Sequence, residues 1–247
     1  MRTIVRGVGI LLLLPSVAPY TALAQEGIQI ARASPELMDE LVKVWPKNRT
    51  VRLVFHGHSV PAGYFKTPEI RRFDSYPHLV QRGLCNRFPT AAIDVSVTAI
   101  GGENSSSGAK RFEKDVLAKN PDVVFIDYSL NDRRIGLEDA AKSWEQMIRE
   151  AKKRGVFVVL LTPTPDTRED ILDDESTLEQ HRLQVLQLGR KHGVVVVDSY
   201  AAFRKQVQAG KPVEEFLSQV NHPNRKGHEI VAGLILRLFP EQTTDQD

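Results

Sequence analysis

Five short runs rich in β-branched residues recur along the chain, each separated from the next by a stretch with helical periodicity. This alternation restricts the fold more than any other feature of the sequence. The runs are Val51 to His56, Ile93 to Ala99, Val123 to Asp127, Val156 to Leu161 and Val194 to Asp198. Between and after them the apolar spacing predicts helices over Tyr76 to Arg87, Ala109 to Lys119, Leu137 to Arg154, Thr177 to His192 and Asn224 to Leu238. Several runs are apolar throughout, as strands covered on both faces are. Strand and helix in strict alternation imply a parallel sheet with right-handed crossovers and helices on both faces. The expected fold is therefore a three-layer α/β/α sandwich with five strands in the order 2-1-3-4-5. Ligands of such sheets bind beyond the carboxyl ends of the strands, so the loops that follow the strands are where chemistry is expected.

Composition agrees with one such domain. The chain has 247 residues, 41% of them hydrophobic, with 33 Lys and Arg against 31 Asp and Glu and a single cysteine. It is neither disordered nor stapled by disulfides. Its slight basicity comes from its start, where Arg2 and Arg6 precede the apolar run Ile10 to Leu14 and the small-x-small motif Ala22-Leu23-Ala24. Residues 1–24 read as a secretory signal cleaved after Ala24. Pro15 and Pro19 keep the apolar run short of the roughly 20 residues that a membrane-spanning helix needs. Without Arg2 and Arg6 the chain carries 31 basic and 31 acidic residues, a balance that gives no reason to expect a nucleic-acid partner. The expectations are a periplasmic or secreted protein, no stable membrane anchor, an N-terminal helical extension over residues 25–46, a main domain over 47–240 and a polar tail over 241–247. In the extension, Ser34 before Pro35-Glu36 reads as a helix cap. Cys85 reads as a small buried hydrophobe.

The loops after the strands carry unusual chemistry. After the first strand stands Gly57-His58-Ser59-Val60, after the second Gly101-Gly102-Glu103-Asn104-Ser105, after the third Ser129-Leu130-Asn131-Asp132, and before the last helix Asn221-His222-Pro223-Asn224. A serine in a tight strand-to-helix turn can be polarised by an imidazole and act as a nucleophile. A glycine N–H and an asparagine amide can donate to a developing oxyanion, at about 3–4 kcal/mol of transition-state stabilisation each. Each residue alone has an ordinary structural reading as a cap or turn.

Taken in order, Ser59, Gly102, Asn131 and His222 resemble the four marker blocks of the SGNH/GDSL hydrolase superfamily, over roughly Val51 to Ala232. The resemblance implies a flavodoxin-like sandwich and a serine esterase that works without metal or cofactor. Ser59 would be the nucleophile and His222 the general base. The N–H groups of Ser59 and Gly102 with the Asn131 amide would form the oxyanion hole. An exported relative of this kind is expected to act on a small-molecule or polysaccharide ester, with an O-acetylated carbohydrate favoured over a lysophospholipid or thioester.

Three positions depart from the pattern. Where the family places an aspartate three residues before the histidine, this chain has Gln219. His222 is then oriented by Gln219 or a backbone carbonyl, or served by a substitute acid such as Asp166 or Asp198, or the protein is a weakly catalytic ligand binder. His58 stands where the first block has aspartate, and Ser129 where the third has glycine. His56 and His58, two apart, also open the alternative of a metal-dependent phosphoesterase completed by Asp132 or His222. Arg71-Arg72 and Arg133-Arg134 lie near the functional loops and offer cations to a substrate anion. Tyr64, Phe65 and Tyr128 are candidates for lining a pocket, and His228 reads as a packing residue.

Overall fold

The structure, a computed structural model, describes residues 32–241. The expected leader and residues 25–31 of the expected extension lie outside the described residues, as do residues 242–247 of the tail.

The five apolar runs form one parallel sheet from β1 (Thr50–Gly57), β2 (Ala92–Val97), β3 (Val123–Asp127), β4 (Phe157–Leu161) and β5 (Val195–Val197). Their order is β2-β1-β3-β4-β5, as the alternation implied. Register is fixed by apolar partners such as Leu53 opposite Val123 and Val123 opposite Phe157. Neighbouring residues of a strand point to opposite faces, so each face acquires its own core. On one side Phe55 and Phe125 stack with ring centroids 4.2 Å apart. They pack there with Leu79, Val80, Phe203, Val231 and Ile235. On the other side Val54, Val124 and Ile126 meet Phe112, Trp144, Met147 and Ile148.

The first layer of helices contains α1 (Pro35–Val42), α3 (Tyr76–Arg87), α8 (Ser199–Gln208) and α9 (Arg225–Leu236). The second contains α4 (Ser105–Asp115) and α6 (Gly136–Lys153), with α7 (Thr177–His192) contributing Val185 and Leu188. Two four-residue helices, α2 (Ser59–Ala62) and α5 (Ser129–Asp132), follow β1 and β3 directly. A hairpin of β6 (Leu217–Gln219) and β7 (His222–Pro223) precedes α9.

Several boundaries differ from the sequence expectation for identifiable reasons. Helix α4 starts four residues early because the Asn104 side chain accepts the Ser107 N–H and caps it there. The chain then finishes in a separate tight turn at Leu117–Lys119. Strand β5 ends at Val197 because Asp198 caps α8, a helix not expected, through the Ala201 N–H. Helix α1 occupies only part of the expected extension, capped by Ser34 as anticipated. It buries Leu37 and Leu41 in the same core as Val51 and Phe239. Cys85 is exposed, contrary to expectation, because Leu84 takes the buried position on α3 and its neighbour turns outward. No helix among the described residues is long and apolar enough to cross a membrane.

Candidate active site

Strand β1 ends at a position that only glycine fits. A Cβ on Gly57 would lie 2.4 Å from the Asp127 carbonyl oxygen at the end of β3. The chain then leaves the strand through His58 and turns into α2. The His58 Nδ1 accepts the Val60 N–H at 3.2 Å, and Gly63, at φ +86°, closes the helix in the left-handed conformation. Ser59 is the first residue of this helix, so its own N–H has no intrahelical acceptor. Its Oγ lies 3.0 Å from His222 Nε2.

His222 reaches Ser59 because the hairpin is fastened to the start of α9. Asn224 caps that helix through the Gly227 N–H, while its Nδ2 donates to the carbonyls of Glu215 and Leu217. Gly227 permits the close approach, since a Cβ there would stand 2.4 Å from the Phe216 carbonyl oxygen.

The other ring nitrogen of His222 meets two groups. The Phe65 carbonyl oxygen is 3.0 Å from Nδ1, and the Gln219 amide nitrogen is 2.8 Å away. The Gln219 Oε1 is engaged elsewhere, accepting the Thr67 N–H at 3.0 Å, and this fixes which end of the amide faces the ring. The two contacts favour different tautomers: the Phe65 carbonyl accepts Nδ1–H, which leaves Nε2 free to take a proton from Ser59, whereas the Gln219 amide N–H favours a bare Nδ1. Phe65 is held there by a loop closed on itself, with Tyr64 bridging Ile70 and the Arg71 N–H donating to Gly63 O at 2.7 Å. The Arg71 guanidinium carbon sits 3.7 Å above the centre of the Phe65 ring. Burial pushes the His222 pKa below its ordinary value, the Phe65 carbonyl opposes that shift, and the nearby His58 reinforces it. The imidazole is therefore neutral at neutral pH, as a base must be.

Neither substitute acid touches His222. Asp166 is bound by Arg133 at 2.6 Å and Arg168 at 2.5 Å. Burial opposes its charge, but those hydrogen bonds outweigh it and hold its pKa down to about 2. It approaches the histidine loop only through Asn221 Nδ2, at 3.5 Å. Asp198 accepts from Thr162 and Arg182 and caps α8. Both readings as triad acids are corrected on these contacts.

The donors expected for an oxyanion stand on loops of adjacent strands. Gly102 has φ +77° and open space where a Cβ would be, so conformation and not crowding calls for glycine. Its N–H has no acceptor among the described residues. The Asn131 amide, on α5, gives one hydrogen to the Glu103 carbonyl at 2.9 Å and keeps a second. Asp132 braces both loops by accepting the Ser105 N–H at 2.8 Å and the Trp144 indole N–H at 2.7 Å.

The paired histidines do not share a site. His56 points into the layer of α4, with Nδ1 on Thr98 Oγ1 and Nε2 near the Gly108 carbonyl and the Tyr128 hydroxyl. Burial lowers its pKa to about 3. His58, beyond the end of β1, turns to the opposite face of the sheet, where Asp127 and Tyr76 lie. No group of three His, Cys, Asp or Glu among the described residues is placed to hold a metal ion. The other candidates are mostly committed to structure. Arg133 is paired with Asp166 and Glu169, Arg71 with Glu69, and Tyr128 is buried against Glu103 and Arg111. His228 is buried and accepts the Tyr76 N–H at 3.2 Å. Tyr64 remains beside the site, its ring centroid 6.0 Å from that of His222. The sequence allowed a backbone carbonyl in this place but did not single out that of Phe65, because a main-chain acceptor leaves no residue-type signal.

Known proteins resemble this chain in sequence family and in fold. A model of the GDSL-like lipase/acylhydrolase family matches residues 55–230. An acetylxylan esterase from Geobacillus stearothermophilus is 25% identical over 162 residues, which span 61% of this chain and 74% of the esterase. A crystal structure of acetylxylan esterase from that organism superposes with a TM-score of 0.68 at 22% identity, covering 80% of this chain and 97% of the esterase. An alpha/beta hydrolase from the metagenome of Lake Arreo, Spain, gives a TM-score of 0.67 at 19% identity, covering 76% of this chain and 94% of the other.

Proposed function

The chain belongs to the GDSL-like lipase/acylhydrolase family and is a carboxylic ester hydrolase, and we propose that it works through an acyl-enzyme on Ser59, with an O-acetylated carbohydrate as substrate. The observation that carries this reading is the 3.0 Å contact between Ser59 Oγ and His222 Nε2. Two solved structures of the G. stearothermophilus esterase are described as catalytic mutants in which a serine and a histidine, respectively, are replaced by alanine.

In the first step Ser59 Oγ bonds to the ester carbonyl carbon while its proton passes to His222 Nε2. The carbonyl electron pair moves onto oxygen, where the N–H groups of Ser59 and Gly102 and the free hydrogen of the Asn131 amide receive it. As the C=O bond re-forms, the alcohol oxygen departs with the proton from Nε2. Water then attacks the acyl-serine, giving its proton to His222, and the acid leaves as Ser59 is reprotonated. Throughout, Nδ1–H stays on the Phe65 carbonyl. That neutral acceptor fixes the tautomer but stabilises the imidazolium less than a carboxylate would.

The carbohydrate assignment rests on the acetylxylan esterase likeness, and a lysophospholipid or thioester is the second reading within the same chemistry. Export rests on the leader-like residues 1–24. N-terminal sequencing of protein recovered from outside the cytoplasm should begin at Gln25, and an intact Met1 there would refute it. The chemistry is tested with a fluorophosphonate probe followed by peptide mass spectrometry. Labelling is expected at Ser59 and should disappear in Ser59→Ala and fall sharply in His222→Ala. An active preparation labelled at another serine would rule the mechanism out. Release of acetate from acetylated xylo-oligosaccharides, against release from lysophospholipid or acyl thioester, decides the substrate class.

A further inference from the structure

The imidazole that precedes the nucleophile has a contact set that suits neither substrate binding nor proton transfer. A neutral imidazole has one acceptor and one donor nitrogen. His58 uses its acceptor, Nδ1, to cap α2 through the Val60 N–H, so its proton sits on Nε2. That atom faces Asp127 Oδ1 at 3.3 Å, close but not aligned as a hydrogen bond, with both residues almost wholly buried and neither atom having another partner among the described residues. The other Asp127 oxygen accepts the Tyr76 hydroxyl at 2.9 Å, and the Tyr76 N–H donates to His228 Nδ1. The turn that carries Ser59 thus packs through one ring against Asp127 at the end of β3, and Asp127 is itself bonded to the start of α3, which is bonded to the first turn of α9.

We propose that His58 and Asp127 are positioning residues for the nucleophile, and that they hold Ser59 in place only while His58 is neutral. The inference rests on the acyl-Ser59 reading. A carboxylate at position 58, the family's usual residue there, would accept the Val60 N–H across the whole working pH range. An imidazole accepts it only while Nδ1 is bare. Protonation sets N–H against N–H, the cap is lost, and the four-residue helix has no second side-chain cap to replace it. The charged and titratable groups facing the ring are Asp127 from β3, Asp132 from α5 and His222 from β7, with the Tyr76 hydroxyl behind Asp127. Activity should therefore need two neutral imidazoles, His222 as base and His58 as cap.

The test is the acid limb of the pH profile of kcat/KM with a soluble acetyl ester. Circular dichroism read at each pH separates loss of activity from unfolding. In the wild type, activity should fall with two protons on the acid side. His58→Ala should lower kcat by about tenfold to a hundredfold with little change in KM. His58→Asn, whose side-chain oxygen can replace Nδ1 as acceptor at any pH, should recover most of that loss and show a one-proton limb. Asp127→Asn, which keeps the side chain's size, tests the second positioning residue and should lower kcat with little change in KM. If His58→Ala does not fold, nitrogen-15 NMR of the wild-type histidine rings decides the matter. A bare Nδ1 at His58 in the active range is expected, with Ser59 amide shifts following its titration. Identical acid limbs in wild type and His58→Asn, or a protonated Nδ1 in the active protein, would overturn the proposal. Fluorophosphonate labelling separates the two failures: an unlabelled Ser59 brings down the acyl-serine reading and this inference with it, whereas labelling with identical limbs brings down the inference alone.

Discussion

His222 gives one ring nitrogen to Ser59 and the other to the rest of the protein, and the second contact is where this chain differs from the pattern its loops resemble. Four side chains of that pattern, Ser59, Gly102, Asn131 and His222, could be read from residue type and order. The group that sets the His222 tautomer could not, because the Phe65 carbonyl belongs to the backbone. Gln219 was legible as a departure, but its orientation depends on the Thr67 N–H, which sequence does not reveal. Gln219→Glu would place a carboxylate able to accept from both Thr67 N–H and His222 Nδ1–H. A negative charge there favours the imidazolium, which raises the His222 pKa from its present depressed position. The acid limb should move to higher pH, and kcat above that limb should rise by about tenfold. A pH–rate series reads both, and an unshifted limb would mean that the new carboxylate does not reach the ring. Asn131→Ala tests the oxyanion assignment at the same scale. It should reduce kcat by about 100-fold to 1000-fold with KM nearly unchanged; an equal rise in KM instead would place Asn131 in substrate binding.

Among the elements, legibility followed length and capping. Helices α3 and α7 begin and end where the sequence placed them. In α7, Ser176 and Gly193 mark the two ends with side-chain and left-handed caps. Helices α2 and α5 escaped because four residues carry no periodicity, although both hold site residues. The β6–β7 hairpin escaped because two or three residues do not show strand alternation. Yet it delivers His222, and the Asn224 side chain joins it to the start of α9. Asn224 caps the helix and at once ties down the carbonyl of Leu217 in the hairpin and that of Glu215 just before it. Asn224→Ala should therefore cost about 1–2 kcal/mol in stability and lower kcat as well, because the histidine loses its register against Ser59. Denaturant titration and steady-state kinetics on one preparation check this. A stability loss with unchanged kcat would show that the hairpin holds its position without the asparagine.

At the scale of the molecule, the alternation of strands and helices sufficed for sheet order, because chain connectivity leaves few ways to cover both faces of a parallel sheet. Net charge told nothing of the interior, where His56, His181 and His228 are buried among other polar side chains. Burial holds His56 and His228 at pKa values of about 3 and His181 at about 4. Unfolded, each would titrate near 6.5. Because the folded values are the lower ones, the unfolded chain takes up protons first as pH falls. Stability is then complete above about pH 6.5 and declines as pH falls to about 4 for His181 and about 3 for His56 and His228. Three such groups give a slope of about 4 kcal/mol per pH unit near pH 5, against a total stability of about 5–15 kcal/mol for a domain. Asp166, with its folded pKa held down to about 2, adds its own loss as pH falls through the ordinary carboxylate range toward that value. Acid unfolding should thus set in near pH 5, before most carboxylates titrate, with uptake of about three protons. Denaturant midpoints measured from pH 7.5 to 4.5 would show a steep fall below pH 6.5. A flat profile down to pH 4.5 would mean that these histidines are already charged in the fold or stay neutral when it opens.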